Sequence, residues 1–508
     1  MKSELNIMKY LWVLFALLAL GIITHVLYQF PQPGVADQGD FDRVMNVSGL
    51  LLPPENVFDP DFIRFLDYPV TDYKIADEST LKFLARLGAT SIAYIITLIS
   101  FICKLFGQDT FKTGYLAIAY SLMYVSALYV IFRYLSITNK VKLSLFIFVT
   151  LFVFLDGNYL VWFNSLYGEP MMITTLMLYI AAWVYYINTR NELKSEGKTF
   201  SKIILVFGTA FLFLGSKMQA LSALPIILLM LAKLLWDNKS LLKRYQKYLL
   251  GFLYCILIVY PVSLSIIDKD IAKDRQYNSV FYGILKDSIN PAQDLIDMGL
   301  NPNMAVDAGK HSFLDGTEYV RYVPHSQITH DEFYSKISNR KLMEFYVTHP
   351  LRFIQGMEYS ASQALITSTF LGKYPRSFSE TPVRDFNRFT LWSSFREHQL
   401  PKNLWFLASI YIAVFTVSLS KYVKNKGYPK IRAEIQLLWG VMLIGILQFP
   451  MPYVGNGQAD TSKQLYLFNF VFDVILIVSI CWCLSKFIDY CYLKSSLKIE
   501  NISYLEPR

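Results

Sequence analysis

Apolar runs, most of them about 17 to 23 residues long, the length a helix needs to cross roughly 30 Å of hydrocarbon, recur near 9–29, 113–132, 142–160, 170–188, 203–215, 220–236, 249–267, 403–420, 434–453 and 466–487. A water-soluble fold has no interior large enough to hide them. Over 508 residues the chain is 54% hydrophobic and 17% charged, with a mean hydropathy of +0.34. These values predict an all-α polytopic membrane protein with about 10–11 transmembrane helices and a mainly helical external segment.

The net charge of +9 does not point to nucleic acid, because the basic residues sit in short loops between apolar runs. Arg133, Lys140 and Lys142 form one group; Arg190, Lys194, Lys198 and Lys202 a second; Lys233, Lys239, Lys243, Arg244 and Lys247 a third; Lys421, Lys424, Lys426, Lys430 and Arg432 a fourth. Lys and Arg mark cytoplasmic loops, so Asp156–Glu169, Ser216–Gln219, residues 268–402 and Val454–Leu465 are expected outside. The first run is too long for a signal-peptide core and is read as an anchor that enters from the cytoplasm. It delivers an acidic loop, 30–82, to the external side. One run too many then separates that loop from Arg133. The run 83–106, with Arg86 and "ATS" near its start and Lys104 near its end, is read as re-entrant or interface-lying.

Three regions follow. They are an N-terminal transmembrane module, 1–267, carrying the acidic loop; an external helical segment, 268–402, in which Pro350 separates two helices; and C-terminal transmembrane helices with a cytoplasmic tail, 403–508. A short surface helix is expected near Asp59–Tyr68. The five cysteines show no disulfide framework, and the six histidines lack ligand spacing, so no metal site and no cofactor are expected, with metal dependence open.

Four polar motifs abut apolar runs on the same predicted face: "DQGDFDR" (Asp37–Arg43), "DGN" with "NSLYGEP" (Asp156–Pro170), "SKMQ" (Ser216–Gln219) and "GNGQADTSK" (Gly455–Lys463). Charges at such depths are costly and mark polar cavities. The plain alternatives are a solvated loop for Asp37, Asp40 and Asp42, helix-dipole complementarity for Glu169, and snorkelling for Lys217. No Walker loop, dinucleotide fingerprint or nucleophile elbow is present. An external enzyme has no ATP or nucleotide sugar, so a donor carried in the bilayer, such as a polyprenyl-phosphate sugar, suits the composition. Its transfer needs a carboxylate to take the acceptor's proton and cations to hold the departing phosphate.

The order of "DQGDFDRVM", "FNSLYGEP", "GSKMQ", "YNSVFYGIL" with "INPAQDLIDMGL", and "GQADTSKQLYLFN" resembles the GT-C class of integral membrane glycosyltransferases, and within it the WsfD-like bacterial glycan-biosynthesis hexosyltransferases. The resemblance implies hexose transfer from a polyprenyl-phosphate donor to a cell-surface glycan acceptor at the extracytoplasmic face of the bilayer. It also implies a catalytic aspartate in the first external loop, carried onto Asp40 with Asp37 as its rival. Asp42, Arg43, Tyr167, Glu169, Lys217, Gln219, Arg275, Asp460 and Lys463 are the expected substrate-binding residues, with Lys217 and either Arg275 or Lys463 on phosphate. A lipid-linked glycan flippase would show internal repeats, and none is visible. A glycan polymerase or ligase would rely on arginines in external loops, for which Arg376, Arg384, Arg388 and Arg396 are available.

Overall fold

A backbone in hydrocarbon must satisfy its own hydrogen bonds, so long apolar runs become helices. The computed structural model describes residues 2–77, 86–135, 137, 139–189, 196–267 and 269–503; Arg190 and Lys194, named above, and 78–82 of the acidic loop lie outside the described residues. Among the described residues, eight helices are long and apolar enough to cross a membrane: Tyr10–Tyr28, Thr113–Tyr134, Glu169–Thr189, Met218–Asn238, Arg244–Leu264, Leu404–Lys424, Pro429–Asn456 and Tyr466–Lys494. A ninth span results if Lys140–Phe154 and Gly157–Asn164, bent by 52° at their junction, count as one. The protein is therefore an all-α polytopic membrane protein.

Of the ten runs read as spans, 142–160 falls in the bent pair and 203–215 is not among the eight spans of the described residues, while 83–106 is the run read as re-entrant or interface-lying. The run 83–106 yields the helix Ser91–Leu105, whose 15 residues rise only about 22 Å, short of a bilayer's roughly 30 Å. The run 203–215 belongs to the helix Glu196–Leu214, which begins beside residues outside the described set and packs on Glu169–Thr189 and Arg244–Ile267.

Glu169–Thr189 is the hub: 89% of its span is buried inside the protein, with Thr113–Tyr134 and Glu196–Leu214 on its flanks. Its first residue is therefore placed in protein rather than in lipid.

On the side where the polar motifs lie, a small antiparallel sheet orders the acidic loop. Leu50–Leu51 pairs with Asp72–Ile75, and Asp72–Ile75 with Thr110–Lys112. The helix expected at Asp59–Tyr68 is absent. A short helix forms one step earlier, at Pro54–Phe58, because Pro60 holds Asp59 extended. Asp59–Tyr68 instead runs irregularly, and Phe65 bridges to Asp37.

Residues 268–402 carry Pro291–Asp297, Asn339–Thr348, Pro350–Gln363 and Leu391–Gln399 as helices. Pro350 starts its helix, where the missing N–H has no partner to lose. Between the last two, 364–390 has neither helix nor strand and works as a strap. Its arginines are committed: Arg376 to the Asp61 carbonyl, Arg384 to Asp67 at 2.9 Å, and Arg388 to the carbonyls of Gln29 and Pro31 at 2.7 and 2.9 Å. Arg396 is wholly buried, bonded to Asp473, to the Tyr159 hydroxyl at 2.5 Å, to Thr367 at 2.7 Å and to the Leu365 carbonyl at 3.1 Å. Asp156, at the bend of the broken span, caps the next turn through Asn158 at 2.9 Å and accepts the Ser393 amide at 3.0 Å. These bonds seal the strap against the helix bundle.

Candidate functional site

The strap and the acidic loop are knitted by backbone bonds. The amide of Gly34 donates to the Lys373 carbonyl at 2.9 Å, Ala36 to Gly372 at 3.0 Å, Gly372 to Leu66 at 2.8 Å and Leu66 to Asp37 at 2.8 Å. Gly372 is required by proximity: a Cβ there would lie 1.7 Å from the Asp67 carbonyl oxygen. Two residues beyond Asp37 the chain turns at Gly39, whose φ of +100° suits glycine alone. The turn leads into the helix Phe41–Ser48.

The two candidate aspartates end up in different settings. Asp37 is buried, and its Oδ1 accepts the amides of Gly39 at 2.7 Å and Phe41 at 3.2 Å; it shapes the turn. Burial pushes its carboxyl up, and those amides and Arg64 only partly oppose this. Asp40 is more open, at 27% exposure, and each of its oxygens faces a cation: Arg43 on Oδ1, and Lys463 on Oδ2 at 2.6 Å. Burial would raise the Asp40 carboxyl, but Lys463, Lys217 and Arg43 outweigh it and hold the group well below the usual carboxylate range. In this state Asp40 is ionised and its proton affinity is suppressed by its neighbours.

Lys463 is the junction of the cluster. Its ammonium lies 2.6 Å from Asp40, 3.1 Å from the Gln38 amide oxygen and 3.4 Å from Asp460, and it sits 4.6 Å above the Tyr167 ring. Burial disfavours this charge, yet Asp40 and Asp460 more than compensate and keep it protonated. Asp460 itself has φ of +56°, an uncommon conformation for a residue with a side chain. Tyr167 forms the floor: it donates to the Ala36 carbonyl at 2.8 Å, and its ring meets Phe41 edge-on at 4.7 Å. Glu169, fully buried at the head of the hub helix, holds Lys217 at 2.5 Å through Oε1, while its Oε2 has no hydrogen-bond partner among the described residues. Gln219 donates to the Gln464 carbonyl and so ties the Lys217 turn to the loop bearing Lys463.

Asp37, Asp40, Arg43, Tyr167, Glu169, Lys217, Gln219, Asp460 and Lys463 thus lie around one locus. Asp42 turns outward to Arg64. Arg275 is exposed on the helix Lys269–Ser279, where its carbonyl accepts the Ser279 hydroxyl at 2.8 Å. The neighbouring "YNSVFYGIL" motif braces the site: Asn278 donates to Asn456 at 3.0 Å, and the Gln458 amide donates to the Tyr282 carbonyl at 3.1 Å. Sequence reasoning passed over Gln38, although it stands inside the quoted "DQGD", and the strap residues 368–371, which carry no motif. With Asp460, Ser462 and Lys463 these line a cavity of about 160 Å³.

The known proteins that this chain resembles enter at the level of the family. No curated protein and no solved structure matches it, so the WsfD-like enzymes find no counterpart there. A family model described as the YfdI N-terminal transmembrane domain matches residues 2–501. The chain, with eight or nine spanning helices among its described residues, belongs to the YfdI N-terminal transmembrane domain family.

Proposed function

We propose that this protein is a GT-C-type glycosyltransferase that moves a hexose from a polyprenyl-phosphate donor to a cell-surface glycan acceptor at the extracytoplasmic membrane face, akin to the WsfD-like enzymes. Membership of a multi-pass family that is GT-C-like supports the class. The observation that carries the reading is the meeting of one partly open carboxylate, Asp40, with two buried or half-buried lysines, Lys463 and Lys217, beside a cavity. The sidedness rests on the basic loops at the opposite helix ends.

In this reading the acceptor hydroxyl attacks the anomeric carbon and gives its proton to Asp40, while the bond to the phosphate oxygen breaks. Lys217 and Lys463 take up the charge of the leaving polyprenyl phosphate. Asp40 is a poor base while Lys463 sits on it. A donor phosphate that draws Lys463 away would raise the proton affinity of Asp40 at the moment a base is needed. Asp37, whose oxygen is engaged by backbone amides, serves to shape the loop rather than to move protons.

The test is direct. Purified protein is incubated with a synthetic polyprenyl-phosphate hexose and a glycan acceptor, and release of polyprenyl phosphate is followed. Release by the wild type with loss in Asp40→Asn, at equal yield and melting temperature, supports the proposal. Retained release in that variant removes Asp40 from the role, and transport of lipid-linked sugar without any release replaces the enzyme with a flippase.

A further inference from the structure

The cavity beside Asp40 is walled by three segments that are distant in sequence: Gln38 of the acidic loop, Ser368, Thr369, Phe370 and Leu371 of the strap, and Asp460, Ser462 and Lys463 of the loop before the last span. Its volume, about 160 Å³, is close to the roughly 150 Å³ that holds a six-membered ring in an engineered protein cavity. Its chemistry is mixed. Lys463 and Asp460 lie 3.4 Å apart and offset each other's charge, so the pocket favours a neutral guest over a second anion. Ser462 is half-buried, and its hydroxyl has no described hydrogen bond; the Thr369 hydroxyl, which accepts from Lys373 at 2.9 Å, keeps its own proton to donate. Gln38 gives its carbonyl oxygen to Lys463 and has its amide N–H groups left to offer. Phe370, 51% exposed at the rim, supplies an apolar face.

From this arrangement we infer that the cavity is a hexopyranose subsite, in which Thr369, Ser462 and Gln38 read the ring hydroxyls and Phe370 covers the C–H face. A pyranose presents hydroxyls around its edge and apolar C–H groups on its faces, and the walls match that division. The ring belongs either to the donor or to the acceptor; both share this chemistry. The inference rests on the proposed transfer for its biological meaning, but its binding test does not need turnover. The strap thereby acquires a role: the backbone bonds and arginines that bind it to the acidic loop hold the sugar-reading wall in register with Asp40.

The full-length protein in detergent is examined by saturation-transfer difference NMR against methyl glucopyranosides, mannopyranosides and galactopyranosides, as wild type and as Thr369→Val/Ser462→Ala, each checked by its melting temperature. Binding of at least one glycoside that disappears in the double variant is expected. Absence of binding to the wild type, or unchanged binding in the variant, overturns the subsite. In the transfer assay, loss of these hydroxyls should raise KM for one substrate by about 3- to 10-fold per lost hydrogen bond, with kcat less affected. A rise for the lipid donor places the donor hexose in the cavity, and a rise for the acceptor places the acceptor sugar there. An active wild type whose KM values are both indifferent to the double variant also sinks the subsite. Glycoside binding in a protein that releases no polyprenyl phosphate would uphold the cavity and bring down the proposed reaction instead.

Discussion

Replacing Arg396 by methionine removes the cation from a pair in which both side chains are fully buried. The guanidinium makes its bonds to Asp473, Tyr159, Thr367 and the Leu365 carbonyl, so none of its donors turns to water. In Arg396→Met the carboxylate of Asp473 keeps the Tyr159 hydroxyl, at 2.7 Å, but loses its paired cation. Breaking a buried pair from one side costs about 3–5 kcal/mol, because an uncompensated charge stays behind. Removing both charges with shape-filling apolar residues is close to neutral. The expected order of thermal stability is therefore wild type and Arg396→Met/Asp473→Leu near each other, with Arg396→Met and Asp473→Leu alone well below. Unfolding in detergent is commonly irreversible, so the readout is the half-life of monodisperse protein at one fixed temperature, by fluorescence-detected size exclusion. If the double variant decays as fast as the singles, the charges do not act as a pair, and the argument that they clamp the strap to the last span fails.

Four further outcomes follow from the same contacts. Lys463→Met removes the cation that lies 2.6 Å from Asp40; since Asp40 is held low by Lys463, Lys217 and Arg43 against the upward push of burial, the acid limb of kcat/KM should move to higher pH, and kcat should fall by about 10²–10³. Asp37→Asn should lower yield and melting temperature more than it lowers the turnover of the protein that survives, because the lost acceptor shapes the loop through Gly39 and Phe41. Gly372→Ala, with its Cβ 1.7 Å from a backbone oxygen, should detach the strap and expose 364–390 to limited proteolysis. Lys373, buried among carbonyls of its own strap, is pushed down to about 7 by desolvation; the folded state then binds fewer protons than the unfolded state between pH 7 and the ordinary lysine value of 10.5, stability should rise across that window, and Lys373→Met should flatten the rise.

How much of this was legible in the sequence depends on whether a signal is local. A span is written in a continuous apolar run, and the hub helix, the bent Asp156 junction and the C-terminal spans sit where those runs lie. The run 83–106 has the length of a crossing, yet its charged ends and the placing of the basic loops set it apart in the sequence, and its helix, Ser91–Leu105, is too short to span. The four polar motifs were legible for the same local reason, each being a cluster of ionisable groups that interrupts hydrocarbon-like sequence, and the cluster around Lys463 assembles from all of them except the Asp156 turn, which anchors the strap. What composition could not rank was Asp37 against Asp40. They stand three residues apart in one motif, and the difference lies in where the backbone amides of Gly39 and Phe41 point. The strap was illegible altogether, because its hold on the site runs through main-chain carbonyls and through a glycine whose need is set by Asp67, some three hundred residues away. The four arginines that kept a polymerase or ligase in view illustrate the converse error. Read in sequence they are loop cations available to a diphosphate; in the fold each is bonded to the acidic loop or to a buried aspartate. With those cations engaged, Arg43, Lys217 and Lys463 are the cations whose charge acts on Asp40, and under the proposed reaction a cluster in which these cations are already shared with Asp40, Asp460 and Glu169 beside a hydroxyl-lined hollow suits a monophosphate-linked sugar better than a diphosphate-linked chain.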